Sequence, residues 1–171
     1  LASAKTLQDS MNLAVSYKLK QSISEEGEDI DVSIDKTVVM INISDELLFN
    51  TASYRVSNKA DNILKKLADV IKSEPSMEVM VEGHTDSRTI NTPMVTDNWD
   101  LSVKRATSIV RKLQKEYDVD PSQLIASGRS SYLPLVENDT KEHMAMNRRT
   151  KIVILPNLDK FFALLDAEDA M

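Results

Sequence analysis

The stretch MEVMVEGHTDSRTINTPMVTDNWDLSVKRATSIVRKLQKEY, residues 77–117, reads as a strand, a loop and a long helix in succession. Met77 to Glu82 is a short apolar run of strand type, and Gly83 to Asp86 follow at its exit. Beyond the loop Ser87 to Asp97, Trp99, Val103, Ala106, Val110, Leu113 and Tyr117 recur at steps of four, three, four, three and four. That is the period of an amphipathic helix, and the stripe is expected to face the core.

Working outward, Val56, Ala60, Ile63, Leu64, Leu67, Val70 and Ile71 form a second helical stripe, ended by Ser73, Glu74 and Pro75. Before it, Ile30, Val32 and Ile34 alternate with Asp31 and Ser33, and the apolar run Thr37 to Ile43 follows, which predicts a hairpin. After the long helix, Asp120, Pro121 and Ser122 make a turn, Leu124 to Ser127 a strand, and Gly128 to Met146 a polar loop containing Pro134. Thr150 to Leu155 is the last strand, running into Pro156. Strands and helices alternate behind a hairpin, so the predicted fold is α+β, with helices on one face of a mixed sheet of about four strands.

Two segments flank this unit. Ala4, Leu7, Met11, Ala14 and Val15 give residues 1–24 an amphipathic helical pattern, and the acidic run Glu25 to Asp29 reads as a solvated linker. Leu158, Phe161, Phe162 and Leu165 pattern a short helix at the other end. The expected division is therefore 1–29, helix and linker; 30–156, the main domain; and 157–171, a terminal helix.

The chain has 171 residues, 42% apolar and 28% charged, enough for one core without staples. Its net charge is -6 and it has no basic run to track a phosphate backbone, which argues against nucleic acid as a partner. Cysteine is absent, removing disulfides and thiolate chemistry. No stretch approaches the roughly 20 apolar residues of a membrane span. The chain opens on Leu1, so any membrane anchor is expected in a segment preceding it.

The composition also argues against catalysis. His84 and His143 are the only histidines and lie far apart, no serine has a Gly-x-Ser-x-Gly context, and three glycines leave no phosphate-cradling loop. No cofactor or metal is expected. A binding role has better candidates. Asp86 stands at a strand exit, where a rigid scaffold positions loops. Asn98 and Arg105 are seven residues apart on the following helix, within roughly 20 degrees of each other. An acid and a guanidinium can thus meet over one shared loop as a binding site; the same spacing fits an internal Asp86–Arg105 salt bridge or two unrelated solvated charges. Asn147, Arg148 and Arg149 precede the last strand, either as a basic flank or with one arginine reaching an anionic ligand.

The ordered set Val81-Glu82-Gly83-His84-Thr85-Asp86, then Asn98-Trp99-Asp100-Leu101-Ser102-Val103-Lys104-Arg105-Ala106, then Gly128 and Pro134, then Met146-Asn147-Arg148-Arg149 closely resembles the OmpA-like peptidoglycan-binding domain shared by OmpA, Pal and MotB. The match runs from about Leu47 to Leu155. The Asn-Trp-x-Leu-Ser helix start and the long loop Ser87 to Asp97 look most like the MotB branch. The resemblance implies non-covalent binding of peptidoglycan through the meso-diaminopimelate of its stem peptide. It implies that Asp86 holds the ligand's ammonium and Arg105 its carboxylate. Thr85, Asn98, Leu101 and Arg148 match positions that line or close the pocket, and Asn147, Arg149 and His84 match supporting positions.

The expected function is thus a periplasmic wall anchor of an envelope protein tethered to the outer or inner membrane. Two alternatives stand beside it: the wall-anchoring domain of a MotB-like flagellar stator subunit, and a protein–protein module with a vestigial pocket, in which the Leu7/Met11 helix and the Phe161/Phe162 tail mediate assembly. Homodimerisation is compatible with each. A lipobox cysteine upstream would favour the envelope anchor, and an apolar span bearing an aspartate the stator.

Overall fold

The computed structural model describes residues 30–35, 38–51 and 53–155, with isolated positions at 163, 166, 167 and 169. The helices expected in 1–24 and 158–165 lie outside the described residues or nearly so.

Strands β1 (Ile30–Asp35) and β2 (Val38–Ser44) pair antiparallel as the predicted hairpin. A short helix, α1 (Asp45–Leu48), follows at once, and after a 3₁₀ turn at Asn58–Ala60 comes α2 (Asp61–Ser73). Then come β3 (Glu78–His84), α3 (Asn98–Lys115), β4 (Leu124–Gly128), α4 (Lys141–Asn147) and β5 (Arg149–Leu155). The sheet has five strands rather than about four, in the order β1-β2-β5-β3-β4. All its pairings are antiparallel except β3 with β4, which are joined through α3 and run parallel.

The register builds the core row by row. Val39, Ile154 and Val79 lie side by side across β2, β5 and β3, as do Ile41, Ile152 and Val81. These side chains are buried against Ile63, Leu64, Leu67 and Ile71 of α2 and Ala106, Ile109 and Leu113 of α3. At roughly 25 cal/mol per Å² of apolar surface removed from water, this cluster is the main stabilising contribution to the fold.

The long helix corrects the stripe read from sequence. Trp99 and Val103 are 49% and 41% exposed, whereas Leu101, Ser102, Arg105, Ala106, Ile109 and Leu113 are buried. Trp99 instead packs on Tyr132, ring centroids 5.4 Å apart. The inward face is turned because it carries Ser102 and Arg105, which hydropathy patterning counts as polar. Ser102 lies over two glycines that face each other across the parallel pair, Gly83 and Gly128. A Cβ on Gly83 would collide with the Ser102 carbonyl, and one on Gly128 would come within 2.7 Å of Val103 Cγ2. The missing side chains therefore let α3 lie directly on the sheet. Ser102 Oγ donates to Trp99 O at 2.9 Å and accepts from Ser130 N at 3.1 Å. Ser130, held at φ 52, in turn accepts Thr85 N at 2.9 Å through its carbonyl.

A second correction concerns residues 128–146, expected as loop. Lys141–Asn147 is helical, and Thr140 caps it by accepting His143 N at 3.0 Å. Its few apolar residues gave no stripe, yet the cap and Glu142 in the first turn are a start signal.

Candidate functional site

Three strand ends meet at one edge of the sheet. Ser44, Arg149 and His84 share a row, so the next positions, Asp45, Arg148 and Thr85-Asp86, must emerge together. The bond from Asp45 N to Arg148 O, 3.0 Å, closes that step. The start of α3 completes the rim. Asp97 caps the helix by accepting Asp100 N at 2.9 Å, while Asp100 Oδ2 accepts Thr96 N at 3.0 Å. This fixed start aims Asn98, Leu101 and Arg105 from one helix face into the opening.

The half-open cavity is about 600 Å³, and all six residues singled out as ligand-binding line it: Thr85, Asp86, Asn98, Leu101, Arg105 and Arg148. The three supporting residues do not. His84 is buried and bonded through Nε2 to Glu82 Oε1 at 2.6 Å. Asn147, fully buried, accepts Leu135 N and Val136 N and donates to Val136 O and to Asn138 Oδ1. Asn138 Oδ1 also accepts Ser87 N at 3.3 Å, so Asn147 ties the 128–146 segment to the loop after Asp86. Arg149 donates to Asn147 O and Leu133 O, bracing the same segment.

Asp86 and Arg105 do not pair with each other. Arg105 makes a buried ion pair through Nη1 with Asp45, donates from Nε to Ser53 O at 3.0 Å, and stacks its guanidinium 5.1 Å from the Phe49 ring centroid. Asp86 Oδ2 accepts Arg148 Nη1 at 2.7 Å, Arg88 Nη2 at 2.8 Å and Arg88 Nε at 3.0 Å, and Oδ1 accepts Arg88 N at 2.9 Å. Asp45, Phe49 and Arg88 are thus site residues that sequence reading missed. Asp45 sits directly after a strand, the signal that singled out Asp86, but its partner is sixty residues away in sequence.

The two carboxylates are electrostatically unlike. Burial raises Asp45 above the ordinary carboxylate range despite the opposing charges of Arg105 and Arg148. Burial also pushes Asp86 upward, but the hydrogen bonds from Arg88 and Arg148 outweigh it and hold Asp86 below that range. Burial lowers Arg105, against the pull of Asp45. The cavity therefore presents an ionised acid on one wall and a desolvated guanidinium on the other. Among the described residues no group of three or more His, Cys, Asp or Glu is placed to hold a metal ion.

The profile of the OmpA family matches residues 48–148, more than half the chain and every cavity-lining residue named above except Asp45. The chain belongs to the OmpA family. The uncharacterized protein YtxE of Bacillus subtilis is 34% identical over 120 residues, 70% of this chain and 49% of its own length. Motility protein B of the same organism is 28% identical over 118 residues, 69% of this chain and 45% of its own, which puts the chain on the MotB-like side of the OmpA family. This chain spans about half the length of these relatives. Among solved structures, the cell wall anchor of the T6SS from Pseudomonas aeruginosa superposes with a TM-score of 0.73 at 28% identity, covering 83% of this chain and 96% of that one. Among the described residues of this OmpA-family chain, no helix is long and apolar enough to cross a membrane.

Proposed function

We propose that the domain anchors a membrane-attached envelope protein to peptidoglycan by non-covalent binding of the meso-diaminopimelate in the stem peptide, without catalysing a reaction. The observation that carries the reading is the presence in one cavity of an ionised Asp86 and a separately fixed Arg105. The free end of diaminopimelate bears an ammonium and a carboxylate on one carbon. Asp86 takes the ammonium; Arg105, with Nε and Nη1 committed to Ser53 and Asp45, presents its remaining edge to the carboxylate. Arg148 supplies a second cation beside Asp86, Asn98 stands at the helix start, and Leu101 and Thr85 line the walls. Membership in the OmpA family and the likeness to a cell wall anchor support the same role and a periplasmic setting.

The test is co-sedimentation with isolated wall. The domain pellets with diaminopimelate-type peptidoglycan and not with lysine-type, whose side chain keeps the amine but lacks the carboxylate that satisfies Arg105. Asp86→Asn abolishes pelleting. Retention by a folded Asp86→Asn protein refutes the assignment.

A second reading, the wall-binding part of a flagellar stator, draws on the similarity to motility protein B. The full gene sequence tests it: an apolar span bearing an aspartate upstream of these residues supports the stator, a lipobox cysteine the envelope anchor.

A further inference from the structure

Asp86 is already saturated by cations of its own chain. Three donors converge on Oδ2, two from Arg88 and one from Arg148, and the backbone of Arg88 closes on Oδ1. The two arginines are held differently. The Arg148 side chain is 23% exposed, whereas the Arg88 side chain is 65% exposed, against an Asp86 side chain that is itself 7% exposed. Asn98 Nδ2 fixes the Arg88 carbonyl at 2.9 Å, so the backbone is pinned while the guanidinium, among the described residues, is held by Asp86 alone. An exposed cation on one partner can swing into water at small cost.

From this geometry we propose that Arg88 is an internal competitor for the ligand: its guanidinium occupies the seat of the ligand's ammonium on Asp86 and must leave for that ammonium to bind. The inference rests on the pocket reading above and extends it to a residue that sets affinity. Only the open fraction of molecules can accept ligand, so the apparent dissociation constant is raised by the inverse of that fraction. The penalty lies wholly in the free protein. It therefore weakens every ligand that uses Asp86 by one common factor, whatever else that ligand touches.

The experiment is an NMR titration of the domain and its Arg88→Gln form with free meso-diaminopimelate and with the disaccharide tripeptide that carries it. Arg111→Gln, an exposed α3 position outside the cavity lining, controls for the lost charge. Arg88→Gln tightens both ligands by the same factor, about two- to fivefold for an exposed pair, and Arg111→Gln changes neither. The Asp86 carboxyl titration moves up toward its ordinary midpoint in Arg88→Gln, which reports that the guanidinium sits on that carboxylate in solution; the common tightening of both ligands reports the competition. Binding that Asp86→Asn abolishes but Arg88→Gln leaves unchanged, weakens, or tightens unequally for the two ligands overturns the competitor alone. Binding by neither the native protein nor Arg88→Gln removes the pocket reading and the competitor with it.

Discussion

Arg105 is as much a structural group as a binding one, because its charge is buried against Asp45 and each is the other's compensation. Removing one partner strands the other in a low-dielectric site. Arg105→Ala is accordingly expected to cost about 3–5 kcal/mol in urea unfolding, and the double variant Asp45→Asn/Arg105→Gln to recover most of that while failing to bind wall. A double variant that stays as unstable as Arg105→Ala would show that the pair is not the source of the loss. The two carboxylates predict opposite pH responses. Asp86 is lowered from 3.8 when folded, so its contribution is present above that value and lost as pH falls through the lower folded pKa. Asp45 is raised from 3.8, so the folded state holds its proton more tightly and stability declines as pH rises from 3.8 through the folded pKa. Urea midpoints across the acid range should show Asp86→Asn losing the first response and Asp45→Asn the second; parallel curves for both variants and the native protein would contradict the assignment. At this scale Asp86, Arg105 and Arg148 could be singled out because residue type and neighbouring motif mark them. Asp45 and Arg88 could not, since an acid beside a strand and an arginine in a loop are ordinary until the fold shows which groups they meet.

At the scale of elements, the position of α3 decides the pocket, and two glycines decide the position of α3. Gly83→Ala places a methyl group against the Ser102 backbone, which has no rotamer through which to yield. The expected cost is about 1–3 kcal/mol of overpacking. Because α3 carries Asn98, Leu101 and Arg105, wall binding should fall further than the population of unfolded protein explains. Thermal melts read the first effect and titration of the folded variant the second; a destabilised Gly83→Ala protein with native affinity would separate the helix from the site. The helix itself was legible in its period, but its rotation was not. Apolar patterning turned Trp99 and Val103 inward, while packing chose the face with Ser102 and Arg105, one small enough for the glycine slot and the other neutralised by Asp45. The helix Lys141–Asn147 escaped for a related reason: its stability comes from a cap and from Asn147's bonds to the preceding segment, not from an apolar stripe.

For the whole molecule, the members of the buried cluster among the described residues come from positions 39 to 154, with Ile30 packed against it. Residues 30–155 alone should therefore fold, unfold cooperatively and bind wall, and Leu64→Ala in that fragment should cost about 2–5 kcal/mol. A fragment that fails to fold would assign a stabilising role to residues 1–29 or 156–171. Two or three charge-assisted contacts of roughly 1.5–3 kcal/mol each make weak single-site binding, so firm anchoring relies on many wall sites and on tethering. The sequence by itself determined the hairpin, the alternation of strands and helices, the family and six of the residues that line the cavity, because those follow from local periodicity and from motifs contiguous in the chain. Tertiary structure alone decided that Arg105 pairs with Asp45, that Asp86 is held by Arg88 and Arg148, and which face of α3 is buried. Those outcomes depend on strand register and on charge neutralisation between residues sixty positions apart, and no local pattern encodes either.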